Sequence, residues 1–440
     1  MATWRILALG LAVSLFASAA WAQNHALTEV VRPGDCFQYE LAMTLKGELR
    51  MTSNGKTATV PLSAGAAHRF TERVLEAKDK GLPQKVVRNY EVARSTITLD
   101  GQSNSHALRP ERKLMVAQRS PERFLCYSPA GPLSREEVEL VSEHFDTLAI
   151  TGLLPNKDVK AGDSWKLPNE AVLALGQFEA LISNDITAKL DDVADGFAQI
   201  SIGGQGQGIE LGAMAKIFVA GRARYEILAK RVVFLEWTQK DERDQGPASP
   251  ACTVESTTTV KRMAIETPKE LNEGALESIP KGLEPPPALT LVYHCDAKDR
   301  YDVAVTRDWN RVAQTENHIV LRLIDRGEFV AQVALTAWTK VDAGKHTSAD
   351  EFKRAMAETP GWTLEEMMEE GEVSGENGRW IFRVVARGAM EDVKVVQTFY
   401  LIAGPDGSQV VATFTMKPGQ TAKIGSKDLT LIGAIGFPKK

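Results

Sequence analysis

Apolar and polar residues alternate along most of the first 275 residues. In KIFVAGRARYEI, Ile217, Val219, Ala223, Tyr225 and Ile227 fall on one side, while Lys216, Arg222, Arg224 and Glu226 fall on the other. That period of two predicts an antiparallel strand with one face in a core. VVFLEWTQ and TVESTTTVKRMAIE continue the run and are rich in β-branched residues. Asn54-Gly55, between LKGELRMTS and KTATVPL, and Asp195-Gly196, between DITAKLDDV and FAQISI, predict hairpins, because both turn residues tolerate positive φ. One stretch changes period. LSREEVELVSEHFDTL places Val138, Val141, Phe145 and Leu148 in a helical stripe, with Ser134 and Glu137 spaced as a capping box.

LESIPKGLEPPPALT, at 276–290, interrupts the pattern. Pro280, Pro285, Pro286 and Pro287 stiffen the chain and remove backbone donors, so the stretch reads as a linker. Beyond it, DRYDVAVTRDWN, HIVLRLIDR and EFVAQVALTAWTK read as strands. HTSADEFKRAMAET reads as a helix with Ser348 as N-cap, Glu351 at the third position, and Phe352, Ala355 and Met356 inside. GRWIFRVVARG, DVKVVQTFYLI and, after the Pro405-Asp406-Gly407 turn, SQVVATFTM are strands. Leu429, Ile432 and Ile435 sit at helical spacing, predicting a closing helix.

This order resembles the PsbP-like and DcrB-like family of extracytoplasmic α/β sandwiches. The resemblance rests on Tyr301-Asp302-Val303, Asp308-Trp309, the Ser348-to-Met356 helix and the VVQTFYLI…GSQVVATFTM hairpin. It spans the whole second part and implies a fold. The family's members share no enzymatic activity and look like binding and assembly modules. The first part is similar in pattern to secreted β-rich carriers of the lipoprotein-chaperone type. The expected class is therefore α+β. An antiparallel β-rich domain (residues 23–275), a curved sheet or half-barrel with a helix, leads through the proline linker (276–288) to a PsbP-like α/β sandwich (289–440). VRPGDCF at 31–37 and VKAGDSW at 159–165 share a pattern. It is either coincident turn chemistry or the mark of two related halves, 24–130 and 155–275.

The chain opens MATWRILALGLAVSLFASAAWAQ: Arg5, a short apolar core and Ala20-Trp21-Ala22 before Gln23 read as an export leader over residues 1–22. The expected location is periplasmic or secreted, with no transmembrane segment after the leader. Lys+Arg 52 against Asp+Glu 57 gives a formal charge of −5, which argues against a nucleic-acid partner. Export permits disulfides among Cys36, Cys126, Cys252 and Cys295. Chain order suggests Cys36–Cys126 and Cys252–Cys295, with buried free thiols the alternative.

Candidate chemistry is sparse. Gly55-Lys56-Thr57 ends like a phosphate loop, but Arg50 stands where its first glycine belongs. In GGQGQGIELG (203–212), Ile209 or Leu211 occupies the third glycine of a dinucleotide fingerprint, and a strand follows where a helix is needed. These glycines read as letting one long strand bulge, bend or reverse before the next, able to help wall a cavity. His144 and Asp146 point apart on a helix. Of His294-Cys295-Asp296 only His294 and Asp296 share a strand face, short of a zinc set. LEEMMEEGE (364–372) reads as a solvated helix face, and Trp338 and Trp380 as core, with Trp362 the exposed one if any is. No catalytic, metal or cofactor-binding residue is singled out, and no cofactor is expected. The expected function is noncatalytic binding or assembly, with a protein partner or an apolar ligand. An exported hydrolase with dispersed catalytic residues is the alternative.

Overall fold

The computed structural model describes residues 24–53, 56–78, 82–119, 124–142, 145–376 and 378–437. The leader, the Asn54-Gly55 turn and His144 lie outside them. The strands of the first part are β1 (His25–Leu27), β2 (Cys36–Ser53), β3 (Lys56–Ala77), β4 (Pro83–Leu99), β5 (Gln102–Ala107), β6 (Leu114–Arg119), β7 (Phe124–Tyr127), β8 (Leu133–Ser134), β9 (Lys157–Val159), β10 (Ser164–Lys166), β11 (Ala180–Asn184), β12 (Thr187–Ala194), β13 (Phe197–Glu210), β14 (Ala213–Glu226), β15 (Arg231–Arg243) and β16 (Ala251–Ile265). Among the described residues, thirteen of them make one open antiparallel sheet in the order β10-β12-β13-β14-β15-β16-β2-β3-β4-β6-β7, with β11 on β13 and β5 on β4.

The sheet is two meanders joined edge to edge where β16 meets β2. Each begins with the same turn. Asp35 accepts from the Arg32 amide at 2.8 Å and Asp163 from the Lys160 amide at 3.0 Å, and Gly34 and Gly162 hold φ of 95° and 94°. The strands ahead of these turns, β1 and β9, pair antiparallel with each other. The two seven-residue matches thus form the same turn, one ahead of β2 and one ahead of β10.

Alternation decides which face is buried. Along β14, Ala215, Ile217, Val219, Ala223 and Tyr225 are buried, and Met214, Phe218, Arg222 and Arg224 are exposed. Helix α1 (Arg135–Ser142), a 3-10 helix (Thr147–Leu153) and α2 (Asn169–Leu175) lie on the core face. The 3-10 helix touches both β4 and β15. These lie four strand spacings, about 19 Å, apart along the sheet, so the sheet curves around it. The capping box is present, Glu137 N donating to Ser134 Oγ at 3.2 Å and Ser134 N to Glu137 Oε2 at 2.9 Å. The helix is shorter than its stripe, however. Phe145 and Leu148 are buried beyond its end, where Asp146 caps the 3-10 helix by accepting from the Leu148 amide at 2.9 Å. An aspartate that caps a following turn competes with helix continuation.

Two buried ion pairs tie neighbouring segments to the sheet, one the stretch after β1 and the other the 3-10 helix. Arg262 pairs with Glu29 at 2.5 Å and lies over the Phe37 ring, while Glu29 also accepts from the Val232 amide. Arg88 pairs with Glu72 at 2.9 Å and donates to Thr147 Oγ1 at 2.7 Å.

The proline-rich stretch is strapped along the outer side of the sheet. The buried Lys85 ammonium donates to the carbonyls of Pro280 and Gly282, Gln118 Nε2 to that of Leu283, and Arg73 to that of Leu271. Leu271 and Ile279 pack with Val87, Val116, Leu125 and Tyr127.

Further on come α3 (Pro287–Thr290), β17 (Val292–Cys295), β18 (Asp302–Val305), β19 (Trp309–Gln314), β20 (His318–Asp325), β21 (Glu328–Trp338), α4 (Ala349–Ala357), β22 (Trp362–Val373), β23 (Trp380–Met390), β24 (Val393–Ala403), β25 (Gln409–Met416), α5 (Lys427–Gly433) and β26 (Ile435–Gly436). A second antiparallel sheet runs β19-β20-β21-β25-β24-β23-β22. Leu431 and Ile432 of α5 pack in one cluster with Tyr400 and Phe414, and Phe352 and Met356 of α4 in another with Phe399 and Leu401. Ser348 caps α4, accepting from the Glu351 amide at 3.3 Å. The closing helix is short: Leu429 is exposed and Ile435 belongs to β26. Residues 364–372, expected as a helix face, form most of the edge strand β22. It pairs with β23 through two register shifts that leave Met367, Met368 and five of its glutamates exposed. Charges and bulges blunt such an edge against further pairing. Trp362, the tryptophan that would be exposed if any were, is buried at 5% exposure against Phe399. β17 joins the two parts by pairing parallel with β8, and the Arg311–Glu136 pair at 2.5 Å and Arg307 Nη2, donating to the Cys126 carbonyl at 2.6 Å, reinforce the junction.

Candidate functional site

β2 and β3 hold 18 and 22 residues, a hairpin about 60 Å long if fully extended. The core-facing residues of its lower half, Phe37, Tyr39, Leu41 and Phe70, are buried. The same phase continues upward as Met43, Leu45 and Leu49 on β2 and Val60, Leu62, Ala64 and Ala66 on β3. All seven are only half-buried. Ile97 and Leu99 extend this face on β4, and the buried Val254 continues it on β16. Apolar side chains at strand alternation thus run on past the elements that cover them lower down. Gly47 sits in their midst. A Cβ there would meet the Thr253 carbonyl oxygen at 2.2 Å and the Val254 Cα at 2.6 Å, so β2 and β16 close together over a position that must lack a side chain.

One register row crosses this strip: Leu99, Leu62, Gly47, Val254, Asp241, Ile217, Gly206. At Asp241 the row turns polar. On β15 the core-facing positions run Trp237, Gln239, Asp241, Arg243. Trp237 Nε1 donates to Gln239 Oε1 at 2.9 Å, and Gln239 Nε2 donates to Asp241 Oδ1 at 2.6 Å. Arg243 pairs with Glu210 at 2.5 Å, and its Nε is buried without a hydrogen-bond partner. Burial raises the Asp241 carboxyl to about 7, helped by the nearby Glu210 charge, and also raises Glu210 and the Cys252 thiol. Phe178 packs on Gly206 and Gly208 and closes the row beyond Ile217. An apolar strip ending in a hydrogen-bonding, titratable cluster is a surface that can hold one molecule with two chemically different ends.

Gly203, Gly204, Gly206 and Gly208 lie within the single strand β13, and Leu211-Gly212 forms its reversal with φ of 48° and 72°. At Gly204, φ is 139° and a Cβ would meet Asp185 O at 2.3 Å, where the neighbouring partner changes from β12 to β11. The glycines shape the strand. The space beside Gly206 and Gly208 is occupied by Phe178 and that beside Gly204 by the Asp185–Ile186 backbone, so they do not line the open strip. Residues 56 and 57 pair in the β2–β3 hairpin.

All four cysteines are free, which corrects the suggested Cys36–Cys126 and Cys252–Cys295 pairs. The ladders seat each beside other residues: Cys36 opposite Arg73, Cys126 opposite Ala117, Cys252 opposite Leu49, Cys295 opposite Asp302. His294 is buried at the junction, both ring nitrogens without a partner, and burial with the nearby Arg311 lowers its pKa to about 4. Asp296 accepts from Arg300 at 2.7 Å. Among the described residues no three His, Cys, Asp or Glu side chains converge as a metal would require. Trp338 and Trp380 pack beside Phe352 and Phe382.

Gln239, Asp241 and Arg243 escaped the sequence reading. Their signal was phase: in FLEWTQKDER the core-facing alternation set by Leu235 and Trp237 runs straight on into polar residues.

The chain matches no family model and no curated relative. Among solved structures it is similar to PsbP (CyanoP) of Synechocystis sp. PCC 6803, at 16% identity over 34% of this chain and 93% of that one, with a TM-score of 0.27. It is also similar to the Ran-binding protein Mog1p of Saccharomyces cerevisiae, at 12% identity over 33% of this chain and 95% of that one, TM-score 0.27. A third is lipovitellin, at 9% identity over 54% of this chain and 26% of that one, TM-score 0.29.

Proposed function

We propose that the chain is a noncatalytic binding protein of the extracytoplasmic space. It would hold an apolar ligand against the open part of its large sheet, with residues 23–275 as the binding domain and 289–440 as an appended α/β sandwich. One observation carries this reading. Seven apolar residues, from Met43 to Ala66, stay half-exposed on the same sheet face that is fully buried one half-strand lower. Leaving such a strip to water forgoes about 25 cal/mol for each Å² of apolar surface that a ligand would cover. The leader-like opening supports export. The strap over Lys85 supports a fixed rather than freely swinging second domain.

The test is native mass spectrometry of protein purified from its own host, together with titration of the fluorescent apolar probe N-phenyl-1-naphthylamine. The probe should bind the natural protein. Leu62→Lys, a charge placed on the strip but outside the packed core, should weaken it at least about tenfold with circular dichroism unchanged. Equal probe binding by the variant would discard the reading. A hydrolytic turnover abolished by Asp241→Asn would favour the exported hydrolase instead, since the Glu210–Arg243–Asp241 cluster is the best anchor for such an activity.

A further inference from the structure

The polar end of the strip carries a charge imbalance. Arg243 is committed to Glu210 at 2.5 Å. On the outward phase of the same strand, Lys240 is committed to Glu242 at 2.7 Å. Asp241 receives a hydrogen bond from the neutral Gln239 amide and forms no ion pair among the described residues. It remains partly open to solvent, beside Val254, and from there the row runs by Gly47 and Leu62 to Leu99 over about 19 Å. On the other side Phe178 stops the row. The face therefore offers an apolar track that ends at one carboxylate lacking a cation.

We propose that the ligand of this face is a cationic amphiphile, its apolar tail along Leu62, Leu45 and Val254 and its ammonium head against the Asp241 carboxylate. The inference rests on the apolar-ligand reading above and adds the head group. Charge complementarity decides it. An ammonium supplies the partner that Asp241 lacks and donates to its oxygens, a charge-assisted contact stronger than a neutral one. A carboxylate head would meet Asp241 and Glu210, two like charges, with the Arg243 guanidinium already engaged by Glu210. A neutral head would gain no charge-assisted contact. The charged and titratable groups facing Asp241 are Glu210 from β13, Arg243 from its own strand and Cys252 from β16; β14 contributes Ile217 and β2 Gly47 and Leu49.

The experiment is isothermal titration of the full chain with dodecylammonium, 1-dodecanol and dodecanoate, each below its aggregation limit. At pH 8 dodecylammonium should bind at least about tenfold more tightly than dodecanol, and dodecanoate more weakly than either. The amine's advantage should shrink severalfold at pH 6, because Asp241 takes up a proton across that interval while the alkylammonium keeps its own. Asp241→Asn, nearly the same shape, should erase the advantage and leave dodecanol binding in place. Glu242→Gln, on the outward phase, should keep it. Dodecanoate binding as tightly as the amine, or an advantage that survives in Asp241→Asn, overturns the head-group inference while the apolar-ligand reading stands. Failure of all three compounds to bind removes both.

Discussion

At the level of single residues, buried polar groups set the behaviour most open to measurement. His294 is neutral in the fold because burial and the Arg311 charge disfavour the imidazolium. Its pKa falls from 6.5 to about 4, so between those values the unfolded chain holds a proton that the folded protein does not. The stability contributed is complete above the unfolded value and drains away as the pH falls toward 4. The loss is on the order of 3 kcal/mol. Urea midpoints measured from pH 7 to pH 4 should decline, and His294→Gln should flatten part of that slope. An unchanged slope in the variant would remove His294 as its source. Asp241 works in the opposite sense: burial raises its carboxyl, so it favours the unfolded, ionised chain as the pH rises past the ordinary carboxylate range. A fold that keeps such a group at an open edge accepts a cost to stability, and costs of that kind concentrate at functional sites.

Within single elements, the glycines of β13 are unequal. A Cβ on Gly203 would make an ordinary contact with Val219 O at 3.7 Å, whereas one on Gly208 would collide with the Ala180 carbonyl oxygen at 2.4 Å and with Phe178. Gly203→Ala should therefore be nearly neutral. Gly208→Ala should cost about 1–3 kcal/mol and lower the melting temperature. Equal melting temperatures would show that β11 gives way easily. The sequence pattern located β13 and β14 and their reversal, because alternation and turn chemistry are local. It did not show why the glycines are there, since the reason is the backbone of β11 and the ring of Phe178 pressing from other segments. The same limit explains residues 364–372. Four glutamates and two methionines within seven residues look helical by composition, but pairing with β23 makes them an edge strand, as tertiary context overrides propensity.

Across the whole molecule, the proline-rich stretch changes character. Composition predicts a spacer, but two buried side chains from the large sheet, Lys85 and Gln118, hold it down by its backbone carbonyls, and Arg73 holds the carbonyl of Leu271 just ahead of it. Lys85→Ala leaves the carbonyls of Pro280 and Gly282 without their donor and should cost about 2 kcal/mol. It should also open the chain to trypsin after Lys281, whose neighbours are pinned in the natural protein. Resistance equal to that of the natural protein would mean that Leu271 and Ile279 suffice to hold the strap. The two-meander sheet likewise emerges only at this scale: the matched Gly-Asp turns are legible in the sequence, but the pairing of β1 with β9 and of β16 with β2 is not.

The sequence by itself determined what depends on near neighbours: strand alternation, the Ser134 and Ser348 caps, the Gly-Asp turns, and a β-rich chain with a helix-covered second sheet. Tertiary structure alone decided which stretch of the alternating face is buried and which stays open. It also decided that the cysteines sit apart, that the proline stretch is a strap, and that Asp241 faces an apolar row with no ion pair among the described residues. The physical reason is that alternation fixes the side to which a residue points, while burial, pairing and charge balance depend on what arrives on that side from distant parts of the chain.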